Sequence, residues 1–563
     1  MSSPKVALDV EVKDFRSTNS FSAGSYPGDS NSAASFYKAD LDKVQRKLSG
    51  VHVQMYMCNA HQIAGVIGTG LFLGLGQLLS TTGPLGVLLV FLLVGSVAFA
   101  SIVSVTEMAA FAPVSGSFSH YAARWVDPAL GFAVSLLTLL RTCAITLPAE
   151  ITAAAVLIRF WDHNSKHVSI YVAVFIAAVY LVNLLGPSVY HLCPLIRLLL
   201  RLKFLPQIIG GLVLNLGGGP DHKRHGFEYW RNPGPLVSSL EPGALGRFLG
   251  LLLGIVYAAF SMCGMEIITL AAAETRNPRK NMITAMRTVF FRIFICYILT
   301  GLVVGMLIPS NDPALFKKTG NAGQSPFVLV FNRAGVKVLP HIVNAVVLSS
   351  AFSSANGMLY SASRLLFALG VQGHAPKFVT TVSRNGVPYV AIILGGLFSF
   401  LAFLNVKNNS GKVFNLLKYE HSVTLLRGSD YIHLISWLMI GVTYLRFYYG
   451  LKAQGTGRQG IYGIYRSVFQ PYAGMYVIFW SIFFILVSGM SVFWNFNGSD
   501  FVAAYINLPF FALLYIGWKI TKKTKIVPLS QLDFVTGIPS LEETEETAFL
   551  EKPTGMQKVR QFL

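Results

Sequence analysis

Four ionisable residues, Glu107, Glu150, Lys203 and Glu266, stand inside or beside long apolar runs. Ionisable groups are costly in hydrocarbon and usually face a cavity, a proton path or a partner. Two readings compete for each: proton coupling or contact with a substrate amine, against a structural ion pair or an interfacial position. Glu107 lies near the end of its run, which favours the structural reading. Glu266 follows an interruption, Phe260-Ser261-Met262-Cys263-Gly264, which favours function. Arg141 also falls in an apolar run, and the sequence alone gives no account of it. The second constellation is Gly68-Thr69-Gly70, in the middle of the apolar stretch Ile63–Thr82. Glycine leaves backbone N–H and C=O groups uncovered, and in hydrocarbon each must find a partner. Helix N-termini exposed at such a break offer N–H groups and a positive dipole end to an anion, so a carboxylate at Gly68–Gly70 fits. Close helix packing through the G-x-x-x-G pair Gly70 and Gly74 is the competing reading.

These residues need membrane helices to position them. The chain of 563 residues is 53% hydrophobic and only 12% charged, where soluble domains carry about 25% charged residues. That balance implies an all-α integral membrane protein with many spans. Apolar runs predict about twelve: Ile63–Thr82, Leu85–Phe111, Ala129–Phe160, Val168–Gly186, Leu192–Leu216, Phe248–Ala273, Thr288–Ile308, Val338–Leu369, Val387–Leu404, Ile432–Leu451, Tyr472–Phe493 and Phe501–Trp518. The fifth is poor, because Arg197, Arg201 and Lys203 each cost roughly 2.5–3.5 kcal/mol if placed centrally. Spans one and six are both interrupted and hold corresponding places in two five-span halves. That pairing points to a transporter site between inverted repeats. Residues 1–50 read as a disordered N-terminal tail rather than a cleavable signal peptide, 51–518 as the transmembrane domain, and 519–563 as a C-terminal tail. Basic residues after spans six, eight and ten place those links, and both tails, in the cytoplasm. Sequons at Asn408 and Asn497 then fall outside.

Other chemistries are excluded. The net charge of +20 suggests nucleic acid, but the basic residues border apolar runs and serve as membrane anchors. The five cysteines show no C-x-x-C spacing, and His222-x-x-His225 stands alone in a charged loop, so no metal is expected. Catalytic and nucleotide-binding motifs are absent, which argues against an enzyme and against any cofactor.

Several segments together resemble the fungal-type amino acid permeases of the amino acid–polyamine–organocation superfamily: GVIGTGLFLG (Gly65–Gly74), SVTEMAAFAPVSGSF (Ser104–Phe118), AITLPAEITAAAV (Ala144–Val156), LAAAETRNPRKN (Leu270–Asn281) and SSANGMLYSASRLLFALG (Ser353–Gly370). The resemblance runs over most of Gly65–Gly537, including the tail KTKIVPLSQLDFVTG. It implies twelve helices, a LeuT-like five-plus-five inverted repeat with helices one and six broken, and proton-driven import of L-amino acids through the plasma membrane. Gly68, Thr69 and Gly70 would bind the substrate carboxylate. Phe260, Ser261 and Gly264 would line the opposite side, Phe260 as a gate, and Glu266 matches the glutamate of the family's G-x-E. Lys203 is the nearest match to a proton-linked lysine of helix five, and Glu150 matches the third-helix L-P-A-E.

Four segments depart from the family pattern abruptly: 56–62, 135–143, 191–207 and 416–433. Retained introns or short frame shifts in a translated gene would leave this pattern, and an uninterrupted transcript encoding all four would overturn that reading. Two rivals to a proton-coupled importer therefore stand: an amino acid sensor on the same scaffold that does not transport, and a transport-defective product of the departing segments.

Overall fold

The computed structural model describes residues 69–538, apart from 163, 187–204, 221, 263, 276, 317–325, 337, 385, 406–421, 456–464, 495 and 537. Among the described residues the regular elements are all helical. The main ones are α1 (Thr69–Phe111), α2 (Ser117–Trp125), α3 (Pro128–Leu140), α4 (Leu147–Ile158), α5 (Val168–Leu185), α6 (Leu205–Asn215), α7 (Gly243–Ser261), α8 (Pro278–Leu307), α9 (Pro326–Arg333), α10 (Leu339–Val371), α11 (Tyr389–Gly396), α12 (Ser422–Ala453), α13 (Tyr472–Ser488), α14 (Gly498–Tyr505) and α15 (Asn507–Lys522). Gly74–Phe111, Pro128–Ile158, Val168–Leu185, Leu339–Val371 and Tyr472–Phe493 are long and apolar enough to cross a bilayer. Gly243–Ala259, Phe294–Leu307 and Tyr389–Leu404 are shorter apolar helices.

The helices are broken where the sequence supplies a reason. The first two expected spans run together in α1, and the turn between them shrinks to Gly83 (φ 78°, ψ 170°) followed by Pro84. Glycine adopts that φ without steric cost. The freed backbone groups are taken up by a strand-like stretch of loop: Leu85 N–H donates to the Pro235 carbonyl at 3.0 Å, and Val237 N–H to the Thr82 carbonyl at 3.2 Å. A Cβ on Gly83 would stand 2.7 Å from the Pro235 oxygen.

The third expected span is interrupted by a π-helical turn, Arg141–Thr146, between α3 and α4. Pro148 in the first turn of α4 explains it. Proline has no N–H, and its ring crowds the carbonyl four residues earlier, so a widened turn there relieves both. The sixth expected span ends its α-helix at Ser261 and resumes as a 3-10 segment, Met265–Glu274, behind left-handed Gly264 (φ 88°). Several bounds shift. The seventh expected span begins at Pro278, the tenth is already helical at Ser422, and the twelfth divides into α14 and α15. Of the fifth, α6 is described, whereas 191–204 lie outside the described residues.

Packing forms two apolar clusters. The larger draws on α1, α2, α7, α8, α12 and α13, with Phe91, Trp125, Tyr297 and Trp437 fully buried. The smaller joins α4, α5, α10 and α11 through Ile151, Val172, Leu359 and Ile392. Within it Asn183 of α5 donates to Asn356 Oδ1 of α10 at 3.3 Å. The segment after α15 folds back onto the bundle: Arg124 pairs with Asp533 at 3.0 Å, Val527 N–H donates to the Val126 carbonyl at 3.0 Å, and Leu532 is buried.

Candidate substrate-binding site

The break at 262–264 brings the expected residues of the sixth span to the start of the first. A Cβ placed on Gly74 of α1 would lie 3.9 Å from the Ser261 hydroxyl, so the two elements touch there. Ser261 Oγ donates back to the Tyr257 carbonyl at 2.9 Å, and the Tyr297 hydroxyl of α8 donates to the Ser261 carbonyl at 2.6 Å. A carbonyl freed by a helix end inside a membrane requires such a donor. Gly264 turns the chain in the left-handed region, and a Cβ there would meet only Ile267 Cδ1, at 3.5 Å.

Glu266 follows directly and is buried. Its carboxylate is held from α12: His433 Nδ1 lies 3.2 Å from Oε1, and the Trp437 indole N–H donates to Oε2 at 3.4 Å. The Arg141 guanidinium, on the π-helical turn, is near enough to act on the same carboxylate. The chain around Glu266 is fixed by its own carbonyl, which accepts from Thr269 Oγ1 at 2.7 Å, and Thr269 in turn is bonded by Ser117 at the start of α2. An acid of the sixth span thus meets an imidazole and an indole of the tenth beside the break.

The other expected residues fall as follows. Thr69 and Gly70 are the first described residues of α1. Gly68 and Lys203 lie outside the described residues. Phe260 is the penultimate residue of α7. Glu150 is buried on α4, beyond the π-helical turn. Glu107 accepts the Ser467 backbone N–H at 3.0 Å and so caps the chain ahead of α13.

Sequence reasoning passed over His433, Trp437 and Tyr297. A histidine and a tryptophan four residues apart in the tenth span share a helix face, and that spacing was the available signal. It also passed over a second buried pair: Glu274, at the end of the 3-10 segment, accepts from Arg364 Nε at 2.8 Å and Nη2 at 3.3 Å. The Tyr360 hydroxyl donates to the same carboxylate at 3.2 Å, and the guanidinium stacks 4.0 Å from the Tyr360 ring centroid. This pair lines a small cavity with Ser115, Leu270, Phe367 and Pro388.

Solved structures share this architecture at low sequence identity. A manganese transporter of Eremococcus coleocola, solved with an aromatic bis-isothiourea compound, matches with a TM-score of 0.53 at 11% identity, covering 86% of this chain and 98% of that one. MhsT in complex with L-phenylalanine matches with a TM-score of 0.51 at 15% identity, covering 78% and 98%. The fold is that of the LeuT-type transporters.

Sequence comparison narrows the class. The profile of the amino acid permease family matches residues 55–531, and this chain belongs to that family. The dicarboxylic amino acid permease of Saccharomyces cerevisiae is 33% identical over 548 residues, 96% of this chain and 87% of the relative. The proline-specific permease of Emericella nidulans is 34% identical, covering 87% and 89%. The basic amino-acid permease of Saccharomyces cerevisiae is 33% identical, covering 89% and 85%. The chain is therefore a multi-pass membrane transporter of amino acids, not an enzyme.

Proposed function

We propose that this chain imports L-amino acids across the plasma membrane by proton symport, through twelve spans arranged as two inverted five-span repeats plus two, with both termini cytoplasmic. The observation that carries the reading is the sixth-span discontinuity at 262–264, packed against the start of α1 with a charged cluster beside it. Discontinuous helices near the midplane are where such transporters hold substrate. The carboxylate would sit on the N–H groups at Gly68, Thr69 and Gly70, and the amine near carbonyls of Phe260 and Ser261, with Gly264 and Glu266 completing the site. The relatives carry dicarboxylic amino acids, proline and basic amino acids by name, which supports the amino acid class.

Alternating access would come from rocking one helix bundle against the other. Lys203, Glu150 and Glu107 are the groups proposed for the coupled proton, and of these the bond of Glu107 to Ser467 favours a structural role.

The test is uptake of a mixed labelled amino acid pool in cells lacking their own permeases. Uptake that rises as pH falls and collapses with a protonophore is the expected result. Uptake indifferent to both would overturn symport. Ligand binding at the surface without uptake would replace the transporter by a sensor.

A further inference from the structure

The nine residues of α2 are tied at both ends to parts of the chain far away in sequence. In its last turn Arg124 pairs with the Asp533 carboxylate at 3.0 Å, and its Nε donates to the Asp533 carbonyl at 2.8 Å. The Trp125 indole N–H donates to that same carbonyl at 3.0 Å, and the Phe534 ring packs on Trp125 with centroids 5.8 Å apart. Charge, hydrogen bonds and apolar contact therefore all seat residues 524–538 on this end of α2. At the other end Ser117 donates to Thr269 Oγ1, on the 3-10 segment of the sixth span. Thr269 in turn donates at 2.7 Å to the carbonyl of Glu266, the second residue after left-handed Gly264.

The entry to α2 is built for this contact. Gly116 has φ 87° and Ser117 φ 45°. A serine in the left-handed region persists only where its surroundings hold it there. The turn is also pressed against α10, since a Cβ on Gly116 would stand 2.8 Å from the Ala368 Cβ. Ser115, just before the turn, lines the small cavity together with Ala273, Glu274 and Arg364. One wall of that cavity is thus the entry to α2, and the opposite wall is the end of the broken sixth span.

We propose that residues 524–538, acting through α2, are a brake on the inner half of the sixth span. While the strap is seated, α2 keeps Ser117 on Thr269 and the cavity at Glu274 stays closed. When the strap leaves, α2 is free to tilt, the Ser117–Thr269 bond lapses, and the segment Met265–Glu274 parts from the turn at 115–117. The consequence for transport rests on the alternating-access reading above, in which this half of the span moves. The coupling itself is measurable without transport.

The test is thiol labelling of the detergent-purified full chain carrying Ala273→Cys, a cavity position that is 8% exposed, with native buried Cys143 as the internal control. Asp533→Ala should raise the labelling rate at position 273 by about 10-fold, the scale of one lost charge-assisted contact, and leave Cys143 protected. Ser117→Ala should raise it likewise, and the two together should exceed either alone only slightly, because they act along one path. Effects that multiply independently overturn the proposal. So does unchanged labelling in an Asp533→Ala variant whose Val527 amide exchanges freely, since the strap then lets go without consequence. Labelling of Cys143 together with position 273 marks a general loosening and overturns it as well. If Asp533→Ala does not give folded protein, Gln454→Ala decides, since it loosens the strap at Leu532 without touching α2. An unmodified chain that binds amino acids without uptake overturns the transport reading and leaves this coupling standing. Uptake accompanied by labelling indifferent to the strap does the reverse.

Discussion

Glu274 and Arg364 are both nearly sealed from solvent, and their carboxylate–guanidinium fork is closed on one side by the Tyr360 ring. Desolvating two charges costs about what their attraction returns, so such a pair adds little net stability while intact. Removing one partner is another matter, because it strands a bare ion. Glu274→Ala is expected to destabilise the protein by about 3–5 kcal/mol, read as a lower melting temperature of detergent-purified protein. Arg364→Met together with Glu274→Gln should recover much of that loss. Both residues sit in segments that the sequence marks as family-like, yet residues 90 positions apart give no sign in the sequence that they meet. Glu266 was legible because an acid beside a glycine-containing break is chemically odd. Its partners on α12 and the π-helical turn were not, because pairing between distant spans leaves no local pattern.

At the scale of elements, the sequence located many of the described helices, and some of their breaks were legible while others were not. The break in the sixth span was readable from Ser-Met-Cys-Gly ahead of an acid, since small residues and a left-handed glycine end helices. The π-helical turn was not, because a widened turn uses the same apolar residues as the helix around it. The α1 turn was drawn at the right place, but the sequence could not show that loop 235–237 completes it. Gly83 and Gly264 both have positive φ, for which a side chain costs roughly 1–2 kcal/mol. Only Gly83 is also walled in, by the Pro235 carbonyl. Gly83→Ala should therefore lower the melting temperature more than Gly264→Ala. Gly264→Ala should cost more in uptake per molecule at the surface, since it stiffens the site itself. The opposite ranking in either assay would refute this assignment.

Across the whole molecule, residues 524–538 tie the far end of the chain to the corner between α2 and α3. Arg446 Nε donates to the Trp125 carbonyl at 2.7 Å, Gln454 Nε2 to the Leu532 carbonyl at 2.7 Å, and Lys519 to Asp127 at 2.6 Å. Burial would push the Asp127 and Asp533 carboxyls up, but Lys519 and Arg124 outweigh it and hold both below the usual carboxylate range. Groups depressed in the folded state stabilise it above their unfolded pKa, about 3.9, and lose that effect as pH falls through the lower folded value. The strap should thus hold at pH 5 and loosen only as pH falls below the ordinary aspartate range. Hydrogen exchange at the Val527 amide, which bonds to Val126, reports this directly. Loss of protection already at pH 5 would contradict it. The Tyr297–Ser261 bond has a different kind of reach. Because α8 supplies the donor for the carbonyl that the sixth span leaves bare, those two helices share one hinge pin. Any swing of the broken span must therefore carry α8 along or give up that bond, a difference of about 0.5–1.5 kcal/mol resting on a single phenol.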